Sequence, residues 1–407
     1  MYDVAIVGAS VAGCAAAIML ARKGIKVVLL DRKADAQSYK RVCTHYLQPS
    51  SVPTIERLGL MPLLNTAGAS HPLLEIWTPW GWIVEDDRDV SPGISIRREK
   101  LDPILVGLAG DTAGVDVRLG HTLRSVVREG GRATGVVTTD KAGVEHRINV
   151  KLVVGADGRQ SRTAESAKLR TRQFKNQRSA FYCYFSNLEL SKPGVAQAWY
   201  ANPNVASIFP TDNNVTMVSV MPKIENESEW SSDREGKLIS LVESMPGAPS
   251  LRNAQRISPI LGMADMPVIW RKSSDLGLAL IGDAAFAADP IWGVGCGWAF
   301  QSAEWLVDCV AGNLQNAKAL DGALKRYSRL HRWRLGGHAL HMVNYASGRK
   351  FYAMEKFLFS AASKGGFCAN RVHAYGHRKI GITGLMNPNL FFHAIRAHLS
   401  GSPITIS

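Results

Sequence analysis

The chain of 407 residues carries a formal charge of +14, with 46% hydrophobic and 20% charged residues, a balance typical of a globular protein long enough for more than one core. No run of eighteen or more apolar residues occurs, which excludes a span by hydropathy, and the chain enters a strand-like segment at once without the pattern of a signal peptide; a cytoplasmic protein is the expectation. Six scattered cysteines (Cys14, Cys43, Cys183, Cys296, Cys309, Cys368) lack CxxC spacing, so reduced thiols are expected and no metal site is indicated.

The first thirty-one residues read as strand, turn, helix, strand, acid. Tyr2 to Val7 is an apolar run suited to a buried parallel strand. Gly8-Ala9-Ser10-Val11-Ala12-Gly13 is a glycine turn, and Cys14 to Arg22 is small and apolar enough for a helix packed closely on a sheet. Lys26 to Leu30 is the second strand, with Asp31 at its end. Gly8 permits the sharp turn and Gly13 the close approach of helix and strand, while the helix N-terminus offers free N–H groups to a pyrophosphate. An acid about 20 residues past the glycines is placed for a ribose hydroxyl. Ser10 stands where the fingerprint has its middle glycine.

After Asp31 comes a polar connection through Arg41, Cys43 and His45. Thr54 to Leu60 predicts a short amphipathic helix, and Trp77, Trp80 and Trp82 mark strands of a second unit. Ile94 to Leu105 leads into a helix. Val115 to Leu119 predicts a strand, and Arg124 to Thr139 a hairpin turning at Gly130-Gly131. Leu152 to Val154 runs into Gly155-Ala156-Asp157-Gly158. From Phe174 to about Arg256, alternating segments predict an antiparallel sheet: Phe181 to Phe185, Gln197 to Tyr200, Ser207 to Pro210 and Val215 to Val220. Leu276 to Ile281 returns to a buried strand ahead of Gly282-Asp283, and Trp298 to Ala311 reads as a helix. Ala323 to His398 reads as largely helical, with breaks at Gly336-Gly337, Gly365-Gly366 and Pro388.

Charge is unevenly placed. From Asp321 onward there are thirteen Lys/Arg against two Asp/Glu, and seven of the eleven histidines. Such a region suits a solvated helical face, or contact with an anionic substrate, an acidic carrier protein or a membrane surface. The aromatic–glycine signatures of RNA-binding modules are absent, so no nucleic-acid partner is expected.

Three ordered stretches, GASVAG (Gly8 to Gly13) with Asp31, VVGADGRQSRTA (Val153 to Ala164) and IGDAAFAADPIWGVGCG (Ile281 to Gly297), resemble the single-component flavoprotein hydroxylases. These are FAD monooxygenases with a para-hydroxybenzoate hydroxylase-like fold, and the similarity spans nearly all of residues 1–330. The resemblance implies an α/β fold. A Rossmann-type FAD-binding domain (1–70, 98–170 and 257–330) would carry an inserted antiparallel β-sheet substrate domain (71–97 and 171–256), followed by a helical C-terminal region (331–407).

It further implies FAD held by Gly8, Ser10, Val11, Ala12, Gly13, Asp31, Arg32, Arg41, Arg98 (in the pattern Arg98-Glu99-Lys100-Leu101-Asp102), Asp157, Gly158, Gly282 and Asp283. Pro290, Gly293, Val294 and Gly295 would lie beside the isoalloxazine, with Gly293, Gly295 and Gly297 letting the main chain approach the ring. NAD(P)H and O2 would supply a flavin hydroperoxide, and a small-molecule substrate would be hydroxylated or epoxidised, with reduced flavin made in place or by a partner reductase. Tyr182, Tyr184, Trp199, Tyr200, Phe209 and Met217 are the candidate substrate enclosure. His45 is a candidate general base, and Pro290 and Trp292 candidates beside the reaction centre. Two other flavoenzyme branches are partly matched. Ile208-Phe209-Pro210 and Cys43 resemble features of geranylgeranyl reductases. Trp80-Gly81-Trp82 starts like the halogenase signature WxWxIP but continues with Val84-Glu85.

Overall fold

The computed structural model describes residues 1–86, 91–223, 230, 232–264 and 266–400; residues 87–90, 224–229, 231, 265 and 401–407 of the units expected above lie outside the described residues. At its centre is a six-stranded sheet. From edge to edge its strands are Ser274–Asp275, Leu278–Leu280, Leu152–Gly155, Val4–Val7, Val27–Asp31 and Val115–Leu119, all parallel except the first. Strand period sorts the side chains between two faces. Val4, Ile6, Leu29 and Val154 face the helices Val11–Ala21, Arg98–Gly110 and Gly295–Val310. Ala5, Val7, Leu30 and Val153 face a three-stranded antiparallel meander, Thr122–Glu129, Arg132–Thr139 and Glu145–Asn149. The first two meander strands turn at Gly130 and Gly131, both at positive φ (55° and 81°), as a two-residue hairpin with that backbone twist requires.

The opening helix starts earlier than its apolar run suggests, at Val11, and all eleven of its residues are buried. Its seat on the sheet depends on two glycines. A Cβ at Gly8 (φ +109°) would lie 2.4 Å from the Ala156 carbonyl oxygen, and one at Gly13 would lie 1.8 Å from that of Gly8.

The second sheet runs Gln255–Arg256, Ala180–Ser186, Thr216–Met221, Asn204–Pro210, Val195–Ala201, Leu73–Thr78 and Gly81–Ile83, with Leu261–Met263 also paired to Ala180–Ser186. It is antiparallel throughout except where Leu73–Thr78 joins Val195–Ala201 in parallel. One face packs Phe181, Cys183, Ile208 and Val218 on the helix Arg234–Glu243 through Leu238 and Val242. The alternate residues, among them Tyr182, Phe209 and Met217, pack with Tyr46 on the other face.

The C-terminal region is helical: Ala317–Ala346, Ala353–Ala362, Gly366–Gly376, Ile382–Leu385 and Pro388–Leu399. The expected breaks at Gly365-Gly366 (φ +83° and +59°) and Pro388 are present. The break expected at Gly336-Gly337 is not, because one 30-residue helix runs through both. Here glycine serves packing: a Cβ at Gly337 would lie 2.8 Å from Ile382 Cγ2, and that close contact outweighs glycine's poor helix propensity of ~1 kcal/mol. Among the described residues no helix is long and apolar enough to cross a membrane.

Candidate functional site

A cavity of about 630 Å³ runs from the glycine turn of the opening helix to the underside of the second sheet. It is lined by most of the sequence-predicted residues: Gly8, Ser10, Val11, Ala12, Asp31, Arg32, Arg41, Arg98, Asp157, Gly158, Asp283, Pro290, Gly293, Val294 and Gly295, with Tyr182 and Met217 at the sheet end. Gly13 and Gly282 act from behind the wall. Gly13 packs on Gly8. The buried Gly282 donates its N–H to Ser302 Oγ (2.9 Å) and lies against Ala12.

The Asp31 carboxylate is oriented by two backbone donors, Ala9 N–H (2.7 Å) and Lys33 N–H (2.8 Å). A carboxylate has lone pairs for about four hydrogen bonds, so ribose hydroxyls can still be accepted. Ser10 occupies the N-cap position without capping the helix, and its Oγ accepts from Arg98 Nη2 (2.7 Å). The departure from the fingerprint thus has a local partner, and the first-turn N–H groups stay open to the cavity.

Arg98 is buried. Its Nε and Nη2 donate to Asp102 (2.8 and 2.9 Å), and Asp102 also accepts the Lys40 N–H (2.9 Å), tying the Tyr39–Thr44 stretch to the helix Arg98–Gly110. Its Nη1 lies 3.9 Å from Cys43 Sγ and 3.6 Å from Cys296 Sγ, and the two sulfurs are 3.6 Å apart. A thiol hydrogen bond from Cys296 holds Cys43 well below the usual thiol range against the opposing effect of burial, with Arg98 and Lys40 adding attraction; Cys296 is pushed up in exchange.

Asp283 forms an ion pair with half-exposed Lys40 (2.8 Å). Burial works to raise its carboxyl, yet the Lys40 ammonium, and after it Arg159 and Arg98, hold it below the ordinary range. Asp157 is committed locally. It accepts from Ser161 Oγ (2.5 Å), Thr163 N–H (2.9 Å) and Thr163 Oγ1 (3.0 Å), so its carboxylate shapes the turn into the helix Arg162–Ser166 while lining the cavity.

Six further expected side chains lie off the cavity lining: His45, Tyr184, Trp199, Tyr200, Phe209 and Trp292. His45, in the left-handed region (φ +60°), is 2% exposed, and its Nδ1 accepts the Arg98 backbone N–H (3.0 Å). The ring proton therefore sits on Nε2, which donates to Tyr184 Oη (2.5 Å). Burial keeps the ring below its ordinary range. Both ring nitrogens are thus engaged, and His45 links the Arg98 backbone to the Tyr184 hydroxyl. Phe209 packs on Tyr46, and Tyr200 donates to the Ile291 carbonyl (3.2 Å). Trp199 is fully buried on the opposite sheet face against Trp82, and Trp80 packs on Phe351. Trp292 turns away from the cavity into a ring cluster with His341 (4.9 Å), Tyr345 and Tyr375. Its place in the sequence next to Gly293 does not carry its side chain to that glycine's side.

The glycine turn is partly as expected. Only side-chain ends come near a Cβ at Gly293 (Thr44 Oγ1, 3.3 Å) or Gly295 (Asp283 Oδ1, 3.9 Å), so the main chain itself faces the cavity. Gly297 makes room for something else, since a Cβ there would lie 3.3 Å from Arg378 Nη2. Lys40, Cys43, Cys296 and Asp102 are absent from the expected set. Cys296 could have been read from its place between Gly295 and Gly297, and Asp102 from its i,i+4 spacing to Arg98.

Open helix N–H groups, an oriented acid, exposed glycine main chain and a buried guanidinium form a donor set suited to FAD. A protein-family description, FAD binding domain, matches residues 1–334. The chain is similar to the digeranylgeranylglycerophospholipid reductase of Methanocaldococcus jannaschii, at 25% identity over 86% of each chain. It is also similar to the kynurenine 3-monooxygenase of Yarrowia lipolytica, at 23% identity over 76% of this chain and 73% of that one. Among solved structures it shares the fold of the flavin-dependent brominase Bmp2, with a TM-score of 0.76, 18% identity, and coverage of 98% of this chain and 100% of that one.

Proposed function

The chain belongs to the FAD-binding-domain family of flavin-dependent oxidoreductases, and from that premise we propose that it is an oxygenase using NAD(P)H and O2 to hydroxylate or epoxidise a small aromatic or natural-product molecule. The observation that carries this reading is the cavity. Its volume is about 630 Å³, and the end away from the glycine turn, where the cofactor would lie, is beneath the second sheet among Tyr182, Met217, Met221 and Met263. That compartment suits a compact apolar molecule better than a long lipid chain.

When bound, FAD supplies hydride acceptance and oxygen activation. The residues supply placement and dryness. Asp31 and the N–H groups of the opening helix would hold ribose and pyrophosphate, and Asp283, paired with Lys40, would offer a carboxylate to further cofactor hydroxyls. The Pro290–Gly295 main chain offers a flat wall to the ring. The three methionines grip an apolar substrate by dispersion and keep water out. The Tyr182 hydroxyl donates to the Arg41 carbonyl, so it braces the cavity wall that both residues line.

A second reading, reduction of isoprenoid double bonds, is favoured by one observation: Cys43 and Cys296 both line the cavity beside Arg98, and the proton that Cys296 keeps and shares with Cys43 is one the pair could hand to carbon. The similarity to a digeranylgeranylglycerophospholipid reductase supports it as well. Anaerobic stopped-flow mixing of the purified yellow protein with NADH or NADPH, then with oxygen, separates the two. Rapid reoxidation, with substrate-dependent oxygen incorporation in product, supports the oxygenase. Substrate turnover that proceeds without oxygen overturns it in favour of the reductase.

A further inference from the structure

Glu85, His373 and His377 meet outside the flavin cavity, where the chain leaving the strand Gly81–Ile83 passes the helix Gly366–Gly376. The two histidines are four residues apart, so the helix and its C-cap put both rings on one side, with centroids 5.5 Å apart. One ligand-capable atom from each of the three residues lies within 4.8 Å of the other two, and His377 Nδ1 is 4.0 Å from Glu85 Oε2.

A second, independent observation points to something held there. His373 and His377 are 0% and 1% exposed. His373 Nε2 donates to the Ile83 carbonyl (3.0 Å), which leaves Nδ1 as a bare lone pair. That Nδ1 and both ring nitrogens of His377 have no hydrogen-bond partner. Buried polar atoms are seldom left so, and two neighbouring buried rings with unpartnered nitrogens are a costly arrangement that a ligand accepting imidazole lone pairs would relieve.

We propose that Glu85, His373 and His377 bind a divalent transition-metal ion of the Zn(II) class, fastening the C-terminal helices to the second sheet. Two imidazoles and a carboxylate are the donors that borderline-soft ions of this class select, and a fourth position remains for water. The hydrogen bond from His373 to a backbone carbonyl is the outer-shell partner that metal-bound imidazoles ordinarily have. Tetrahedral bonds of ~2.0–2.2 Å put ligand atoms roughly 3.4 Å apart, so the three groups draw in by about an ångström on binding. Lys379 is the competing cation: its Nζ is 3.8 Å from Glu85 Oε1 and 2.9 Å from Ser91 Oγ. Its side chain is 31% exposed, which gives it a way out to solvent when the metal takes the carboxylate.

The test is metal content and affinity of the full-length flavoprotein, stripped with chelator, equilibrated with Zn(II) and gel-filtered. About one zinc per chain is expected, with a raised thermal midpoint. Glu85→Gln and His377→Gln should bind zinc at least tenfold more weakly and lose the thermal shift, whereas Lys379→Gln should bind it more tightly. A Cys43→Ser/Cys296→Ser double variant should keep its zinc, since the thiol pair is the other soft-donor cluster. X-ray absorption on the wild-type zinc protein gives a readout that needs no variant: imidazole and oxygen neighbours are expected. Sulfur coordination, sub-stoichiometric zinc in the wild type, or wild-type affinity in His377→Gln each overturns the proposal.

Discussion

Cys43 Sγ and Cys296 Sγ stand 3.6 Å apart at the cavity wall with one guanidinium, that of Arg98, against both. The pair shares a proton unequally. Cys43 carries the anionic character because it is the sulfur that accepts, with Arg98 and Lys40 attracting the charge. Alkylation of the FAD-free protein should therefore label Cys43 first. Its rate should stay high as pH falls below the ~8.5 of a free thiol, because a lowered thiol pKa keeps the thiolate populated there. Cys296→Ala should move that profile upward, and added FAD should protect Cys43. Peptide mapping after a short iodoacetamide pulse reads all three; uniform labelling of the six cysteines would refute the assignment.

Arg98→Met removes the partner of a carboxylate that is 1% exposed. Leaving Asp102 charged and buried should cost ~3–5 kcal/mol. Because Arg98 also braces Ser10, the variant should release FAD as well. Chemical denaturation followed by tryptophan fluorescence, beside flavin retention on gel filtration, checks both. Arg98→Met/Asp102→Leu should recover much of the stability and little of the flavin binding.

Gly13→Ala and Gly158→Ala should behave very differently. At Gly13 the added carbon would sit 1.8 Å from a carbonyl oxygen, so the helix must leave the sheet, at roughly 3 kcal/mol or more. At Gly158 (φ +79°) nothing lies within 4 Å, and the strain is that of one left-handed residue, ~1–2 kcal/mol. Comparing the two midpoints in urea, and the flavin content of each, is the measurement.

Acid should loosen the C-terminal helices through Glu355. Burial raises its carboxyl, but His341 and Arg349 (2.6 Å) outweigh that and bring it down to about 2. A carboxylate lowered on folding stabilises the fold fully above its unfolded pKa near 4.5, and that contribution, ~3 kcal/mol at most, is lost as pH falls from there towards 2. Glu355→Gln should show a lower thermal midpoint at pH 7 and a flatter decline between pH 5 and 3. An acid limb identical to wild type would exclude the role.

Much of the fold was legible because parallel strands and the glycine turn announce themselves locally: Val4–Val7 is a continuous apolar run, and Gly8 and Gly13 stand at fixed offsets from Asp31. The period-2 segments around Tyr182 and Met217 marked the second sheet for the same reason. Direction was harder to read. Tyr184, Phe209 and Trp292 sit in the right stretches, but which way each side chain turns depends on partners far along the chain, namely His45, Tyr46 and His341. Gly337 illustrates the same limit. A glycine that ends a helix and one that admits a neighbour look identical until Ile382 is placed beside it. The Cys43–Cys296 pair joins positions 253 residues apart, and no local spacing could have joined them.

The FAD binding domain description matches as far as residue 334, inside the helix Ala317–Ala346. Beyond that point Arg378 reaches back to Gln48 (3.0 Å), Gln301 and the ring of Trp298, and it fills the notch left open by Gly297. A residue beyond the stretch that the family description matches is thereby a structural bolt through its last glycine motif. The C-terminal helices are consequently not a detachable accessory. Trimming the chain at residue 334 would cut the helix Ala317–Ala346 in two and remove the Arg378 bolt from behind the cavity wall. A substitution in the C-terminal helices can in this way alter the cavity without changing any residue that lines it.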